Sequence, residues 1–106
     1  MSKSKRQQKV SLLQCAAILC SHVASGERPI LIAERDEPED PADSGWQFLC
    51  GEDHEDWREA KVWSVREILE IEQTLTPFIN LEPTVRLVRL ACDGDWINVP
   101  NQSDTN

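Results

Sequence analysis

The sequence predicts an α+β fold, with a mostly antiparallel sheet of about five strands and one main helix packed on it. Short apolar runs alternate with turn signals along most of the chain, and such runs are typical of strands. One segment, Ser64–Leu75, instead follows helical spacing and opens with a capping box. Near the end, Asp93-Gly94 separates two apolar runs, as in a two-residue hairpin. The length of 106 residues suits a single domain.

Five segments have the composition of strands, and glycines beside them mark their ends. These strands are predicted at Ile18–Val23, Pro29–Ala33, Trp46–Cys50, Val85–Cys92 and Trp96–Val99. The first two are expected to pair, because the Ser25-Gly26 turn signal precedes the second. Gly45 and Gly51 bracket the third strand, where we expect a side chain to be poorly tolerated. Gly94 is expected to supply a positive φ in the last hairpin.

The main helix is predicted to begin after Ser64. The Ser64 hydroxyl can accept a hydrogen bond from the Glu67 amide, while the Glu67 side chain reaches back to the start of the helix. Val65 and Ile68 then begin an apolar face at helical spacing. Pro77 either limits this helix or starts a separate short turn, because proline cannot continue the hydrogen-bond ladder.

Composition divides the chain into three parts: residues 1–14 as a flexible basic lead-in, residues 15–100 as the α+β domain, and residues 101–106 as a polar tail. Apolar residues follow the basic start as in a secretory signal, and Val23-Ala24-Ser25 resembles a cleavage site. Ser11 and Gln14 break this apolar run, however. No stretch approaches the roughly 18 apolar residues of a membrane span. We therefore expect a cytoplasmic protein.

Acidic residues are concentrated in one part of a chain whose net charge is -8. Between positions 34 and 59, eleven acids stand against two arginines, so this segment alone carries a charge of -9. The acids are Glu34, Asp36, Glu37, Glu39, Asp40, Asp43, Glu52, Asp53, Glu55, Asp56 and Glu59. This balance argues against binding to nucleic acid or anionic membranes, because both are polyanions. The segment is either a solvated loop that maintains solubility or a surface that docks a basic partner.

The chain has four cysteines and no C-x-x-C motif: Cys15, Cys20, Cys50 and Cys92. Three of them, Cys92 included, lie in apolar runs, where we expect buried and reduced thiols. An alternative function is a small metal-binding or regulatory module, whose zinc ligands would be Cys20, His22, Cys50 and His54. The Cys50–His54 spacing matches no standard zinc motif, so we expect no metal and no other cofactor.

The sequence contains no recognisable catalytic motif. Neither His22 nor His54 lies in a nucleophile-elbow, metalloprotease or P-loop context. The four glycines are scattered, so no loop can cradle a phosphate. Carboxylates are abundant between Glu34 and Glu59, but no spacing assigns acid and base roles to a pair of them. We therefore expect a binding protein, with a small hydrolase or transferase as the competing class.

Residues 43–53, which read D-S-G-W-Q-F-L-C-G-E-D, carry a family resemblance. They are similar to the D-S-G-W-x-F-x-x-G-[DE]-[DE] signature of immunity protein family thirty-three, a former domain of unknown function grouped with polymorphic-toxin immunity proteins. The similarity extends over about residues 18–99 and includes Trp63-Ser64-Val65 and the closing Asp93-Gly94. The four cysteines and the Trp- and Arg-containing segment Glu55–Lys61 depart from the family's pattern.

This resemblance implies a cytoplasmic bacterial protein that binds and neutralises a toxin or effector without catalysis. The family's acidic run and the charge of the segment together indicate the partner-contact residues: Asp40, Asp43, Glu52, Asp53, Glu55, Asp56 and Trp57. Trp57 has only charged neighbours, and it is expected either to anchor the interface or to cap the core. The structural residues of the motif are Gly45, Trp46, Phe48, Gly51, Ser64, Glu67 and Gly94. Trp46 and Phe48 alternate in a strand and are expected in the core.

Overall fold

The structure is a computed structural model, and it describes residues 11–51 and 59–99. Within these two ranges the chain forms six strands: β1 (Ala16–Leu19), β2 (Ile32–Arg35), β3 (Asp43–Leu49), β4 (Lys61–Ser64), β5 (Val85–Val88) and β6 (Ile97–Val99). The same ranges contain the α-helices α1 (Ser21–Ala24) and α2 (Val65–Ile71) and the 3₁₀ helices Leu12–Gln14 and Gln73–Phe78. None of the helices described is long and apolar enough to cross a membrane.

The strands of the described ranges form one mixed sheet in the order β4-β1-β3-β2-β5-β6. β1 and β3 are parallel, whereas the other neighbouring strands are antiparallel. The predicted α+β class, with a mostly antiparallel sheet and one main helix, is therefore confirmed. β4 is missing from the predicted strands, because Lys61–Ser64 is short and passes directly into α2.

The prediction of the first strand, Ile18–Val23, is wrong for its second half and for the strand with which it pairs. β1 ends at Leu19, and α1 begins at Ser21. The amides of Ala24 and Ser25 donate to the carbonyl oxygens of Cys20 and Ser21, at 3.0 and 2.9 Å. These local bonds close a helical turn where the alternation of side chains predicts extended chain. In the sheet, β1 lies between β3 and β4, and β2 pairs with β3 and β5.

The predicted hairpin at the end of the chain is wrong in its turn. β5 and β6 do pair antiparallel, but β5 ends at Val88 and β6 begins only at Ile97. Gly94 does not have a positive φ, and its amide donates to the carbonyl oxygen of Ala91 at 2.9 Å. Within this longer connection the guanidinium of Arg89 lies 4.3 Å from the centre of the Trp96 ring.

The core lies between the sheet and the helices on one of its faces. Trp46 and Phe48 of β3 are 1% and 0% exposed, and their stacked rings lie 5.6 Å apart. Val65 and Ile68 of α2 and Leu75 of the following 3₁₀ helix belong to the same buried cluster. The expectation that Trp46 and Phe48 serve the core is confirmed.

The capping box at the start of α2 is confirmed. The Ser64 hydroxyl accepts a hydrogen bond from the Glu67 amide at 3.1 Å, and the Glu67 carboxylate accepts one from the Ser64 amide at 2.9 Å. α2 ends at Ile71, and Pro77 lies within the 3₁₀ helix that follows. Pro77 therefore belongs to a separate turn, which was one of the two sequence-based alternatives.

A buried ion pair joins the residue after α2 to the residue after β5. Arg89, whose side chain is 1% exposed, donates to Glu72 Oε1 at 2.7 Å and to the carbonyl oxygen of Ile30 at 2.9 Å. Trp96 Nε1 donates to the hydroxyl of Thr74 at 2.9 Å, and that hydroxyl donates to Glu72. Burial by itself raises the pKa of Glu72, but the hydrogen bonds from Arg89 and Thr74 and the charge of Arg89 outweigh it. In sum the pKa of Glu72 is lowered.

Three of the four cysteines, Cys15, Cys20 and Cys50, are buried, and Cys92 is exposed. The expectation of a buried thiol is therefore wrong for Cys92, which lies in a surface turn after the end of β5. The Cys15 thiol donates to the carbonyl oxygen of Pro41 at 3.3 Å. Burial raises the pKa of Cys15, which keeps this thiol in its less reactive protonated form.

Candidate functional site

One face of the sheet is opposite the core, and none of its side chains in the described ranges is fully buried. We call it the open face. Successive side chains of a strand point to opposite faces, so the residues that alternate with Trp46 and Phe48 lie on it. Its central row crosses all of the described strands and consists of Val62, Ile18, Gln47, Glu34, Arg86 and Val99.

Two depressions adjoin on the open face. The apolar depression has a volume of about 400 Å³ and is lined by Ile18, Gln47, Ala60 and Val62. The acidic depression has a volume of about 220 Å³, and its lining includes the acidic residues Asp36, Glu37, Glu39 and Asp43. Ile18 and Gln47 line both depressions, so the two are neighbours. We call them together the concave surface, which has an apolar end and an acidic end.

Gly45 shapes the acidic depression. It has a φ of +83°, and a Cβ atom built on it would lie 2.0 Å from the carbonyl oxygen of Asp36. The Asp36 amide donates to the carbonyl oxygen of Gly45 at 3.0 Å. The loop after β2 is therefore held directly against β3, which a larger residue would prevent. Gly45 and Gly51, which has a φ of +86°, both occupy the backbone region that L side chains rarely adopt, so a side chain is poorly tolerated there as expected. The prediction that they bracket the strand is wrong for Gly45, because β3 begins earlier, at Asp43.

Hydrogen bonds orient three of the carboxylates in this region. Asp43 accepts from the Gly45 amide at 2.9 Å, and Asp40 accepts from the Ala42 amide at 2.8 Å. Asp36 accepts from the side-chain amide of Gln47 at 3.0 Å. Two of these carboxylates are thus held by nearby main-chain amides and the third by a side-chain amide of β3.

The arginines near the acidic depression are engaged elsewhere. Arg35 donates to the carbonyl oxygens of Ser44 and Leu81 at 2.9 and 2.8 Å, and its side chain faces the core, 5.8 Å from the ring centre of Trp46. Arg86 forms an ion pair with Glu34 at 3.0 Å. Five carboxylates consequently have no ion pair with any residue in 11–51 or 59–99: Asp36, Glu37, Glu39, Asp40 and Asp43. We call these five the acidic rim.

The structure describes only Asp40 and Asp43 among the predicted partner-contact residues. Asp43 is half-buried in the acidic depression, and Asp40 is exposed in the bend that precedes it. The other predicted residues lie outside the described ranges: Glu52, Asp53, Glu55, Asp56 and Trp57. Their part in a contact patch therefore stays a prediction.

Sequence reasoning missed the residues that give the concave surface its shape. Asp36, Glu37 and Glu39 are part of the acidic segment, but only the backbone path places them beside Asp43. Ile18 and Gln47 carried a usable signal, since each alternates with buried neighbours along its strand. In a central strand, the residues that face away from the core are candidates for binding when no helix covers that face of the sheet.

The predicted zinc ligands do not form a site among the described residues, where no three potential metal ligands are grouped. Cys20 and Cys50 are 2% and 3% exposed within the core cluster. His22 lies in α1, with its Nε2 atom 3.7 Å from the carboxylate of Glu27. His54 lies outside the described ranges, so the complete set of four ligands is untested.

Comparison with known proteins identifies a family for the chain. The Immunity protein Imm33 domain matches residues 17–100. No curated protein and no solved structure matches the chain. The matched residues run from the second residue of β1 through β6, so they include nearly all of the sheet that forms the open face. Because the match covers most of the chain, the protein belongs to the Imm33 family of immunity protein domains, as the resemblance at residues 43–53 implies.

Proposed function

We propose that the chain is a non-catalytic immunity protein that binds a cognate toxin in the bacterial cytoplasm and neutralises it through an acidic surface. The observation that carries this proposal is the match of the immunity domain to residues 17–100. Neutralisation by binding requires a complementary surface and no reacting groups. The carboxylates of the acidic rim, which have no ion pair within residues 11–51 and 59–99, support a surface of this kind.

The acidic surface has two parts in this proposal. Asp40 and Asp43 of the acidic rim lie at its edge, and its centre is the segment that contains Glu52, Asp53, Glu55, Asp56 and Trp57. Carboxylates at the periphery of an interface steer a basic partner and raise its association rate. A large aromatic side chain at the centre supplies a disproportionate share of the affinity, and Trp57 is our candidate for this role.

The first experiment tests the function itself. The protein encoded by the adjoining gene is expressed in a bacterial host, alone and together with this chain. We expect growth arrest in the first case and restored growth in the second, together with a stable complex of the two purified proteins. Absence of both protection and binding would contradict the proposal.

The second experiment tests the contact residues by binding kinetics against the same partner. Reversing Glu55 and Asp56 to Lys should slow association and flatten its dependence on salt, because exposed charges act mainly during encounter. Trp57→Ala should instead raise the dissociation rate, with a loss of about 2 kcal/mol or more. Exposed charge changes usually alter stability by less than about 0.5 kcal/mol, so the charge-reversal variant should stay folded. Wild-type kinetics for both variants would place the interface elsewhere.

A further inference from the structure

Resting on the proposed function, we propose that the open face of the sheet is the surface on which the toxin docks. The part of the toxin that it fits presents an apolar side chain flanked by Lys or Arg. The apolar side chain would enter the apolar depression, and the cations would face the acidic rim. This assignment adds a second area to the contact surface proposed at residues 52–57, and it rests on residues of β1, β3, β4 and the loop after β2.

The apolar contribution comes from side chains that the fold leaves uncovered. Val62 is 67% exposed, although it lies on a strand. Val62 is beside Ile18 in the central row and lines the apolar depression with it. Exposed apolar side chains that adjoin a concave surface, with polar residues around them, are typical of an interaction site.

The charge complementarity comes from the acidic rim. Its five carboxylates lie close together along residues 36–43, and within the described part of the chain no cation pairs with them. Residues 36–43 contain no cation, and the side chain of Arg35, which precedes them, is directed into the core. A partner that brings Lys or Arg would relieve the repulsion among these carboxylates. The aliphatic parts of such side chains could lie over Ile18, because long cationic side chains pack their stems on apolar surface.

The acidic end of this surface is preorganised. Gly45 lets the loop after β2 lie against β3, and hydrogen bonds from the Gly45 amide and the Gln47 side chain orient Asp43 and Asp36. Binding groups that are already oriented lose little conformational entropy when the partner arrives. The open face is therefore suited to a rigid partner surface.

The same charges decide between possible occupants. A second copy of the chain that used this face would bring two acidic rims toward each other, and like charges in an interface are costly. Nucleic acid and anionic membranes are repelled for the same reason. A basic protein surface is the occupant that both the apolar depression and the acidic rim fit.

The apolar part is tested with Val62→Lys, which an exposed edge strand tolerates well. The matched control is Ile71→Lys, since Ile71 is 53% exposed at the end of α2, on the other side of the sheet. Binding of the protein encoded by the adjoining gene is measured by surface plasmon resonance, and folding by circular dichroism and thermal unfolding. We expect Val62→Lys to raise Kd by about tenfold or more, mainly through faster dissociation, and Ile71→Lys to change it less than about twofold.

The acidic part is tested with the double variant Glu37→Lys, Glu39→Lys. Its control is Glu70→Lys, Asp95→Lys, which changes the net charge of the protein equally at exposed positions away from the open face. We expect the first variant to slow association by about tenfold at low salt, with a smaller difference at high salt, and the control to differ from wild type by less than about threefold.

Three results would overturn the inference while the proposed function stands. In the first, wild type binds and every open-face variant binds equally well. In the second, the control variants weaken binding as much as the open-face variants do. In the third, the protein without toxin is a dimer in sedimentation, and Val62→Lys makes it monomeric. If wild type neither binds nor protects, the proposed function fails, and the inference fails with it.

Discussion

Gly26 and Gly45 have nearly the same backbone conformation, with φ of +84° and +83°, but different surroundings. A Cβ atom at Gly26 would have nothing within 4 Å, whereas one at Gly45 would meet the Asp36 carbonyl oxygen. The two positions therefore illustrate two different reasons why a position requires glycine. One is the conformation itself, and the other is the close approach of two backbone segments.

Gly45→Ala should destabilise the protein more than Gly26→Ala does. A positive φ costs an alanine about 1–2 kcal/mol at either position. At Gly45 the overlap with the main chain of Asp36 should add about 1–3 kcal/mol, as overpacking of a tight site does. Urea unfolding of both variants measures the difference. Equal losses would show that the loop after β2 can move away from β3 without cost.

The ion pairs Arg89–Glu72 and Arg86–Glu34 differ in burial, and burial determines how much an ion pair between two elements contributes to stability. Both have short contacts, at 2.7 and 3.0 Å, but Arg89 is 1% exposed and Arg86 is 46% exposed. The exposed pair on the open face is screened by water, so its contribution to stability should be below about 1 kcal/mol. The buried pair joins the start of the 3₁₀ helix to the end of β5, and loss of one partner would leave a charge without compensation.

Glu72→Gln should therefore cost about 3 kcal/mol at neutral pH, because Arg89 stays buried without a carboxylate. The folded pKa of Glu72 is lowered, so its stabilising effect is present above the unfolded pKa, about 4.3, and is lost as pH falls through the folded value. The difference between wild type and Glu72→Gln should shrink in acid. Glu70→Gln is the control, because the ion pair of Glu70 with Arg66 is exposed and its contact is long, at 3.8 Å. A difference that is constant from pH 7 to about pH 3 would contradict the assignment.

Local signals predicted those elements whose determinants are adjacent in sequence. The capping box of Ser64 and Glu67 and the alternation of Trp46 and Phe48 both depend on neighbours within four residues, and both are confirmed. The pairing of β1 was predicted wrongly, because Ile18 meets Gln47 and Val62 through contacts far apart in the chain. Leu19 in the strand and Val23 in the helical turn are both buried. The alternation of apolar side chains therefore cannot indicate where the strand ends and the helical turn begins.

The candidate site was predictable in charge but not in shape. The sequence shows the acidic segment, and it predicted that Gly45 would tolerate a side chain poorly, as the structure shows. That Asp36 lies against this glycine depends on the register of β2 and β3, in which Arg35 is opposite Trp46. The apolar end could not be predicted, because Val62 lies on β4, which sequence patterns do not reveal.

At the scale of the whole molecule, the net charge of -8 sets a balance between solubility and self-repulsion. Added NaCl should stabilise the isolated protein by a few tenths of a kcal/mol to about 1 kcal/mol, because it screens this repulsion more than it weakens the few exposed ion pairs. Thermal unfolding between about 0.05 and 0.5 M NaCl measures the effect. The variant Glu37→Lys, Glu39→Lys should respond less to salt. A midpoint that falls with NaCl would indicate that attractive surface pairs dominate.

The position of β1 in the sheet also governs how the protein can be made. β1 is the first strand in the described part of the chain, yet its neighbours β3 and β4 both follow it, and Ala16 meets its partner on one side only at Ser64. In a nascent chain both edges of β1 are therefore free until β3 has been made, and one edge stays free until β4 follows, after more than half of the 106 residues. Domains fold as units during translation, so β1 gains its second neighbour only with β4, and the described sheet is complete only with β6.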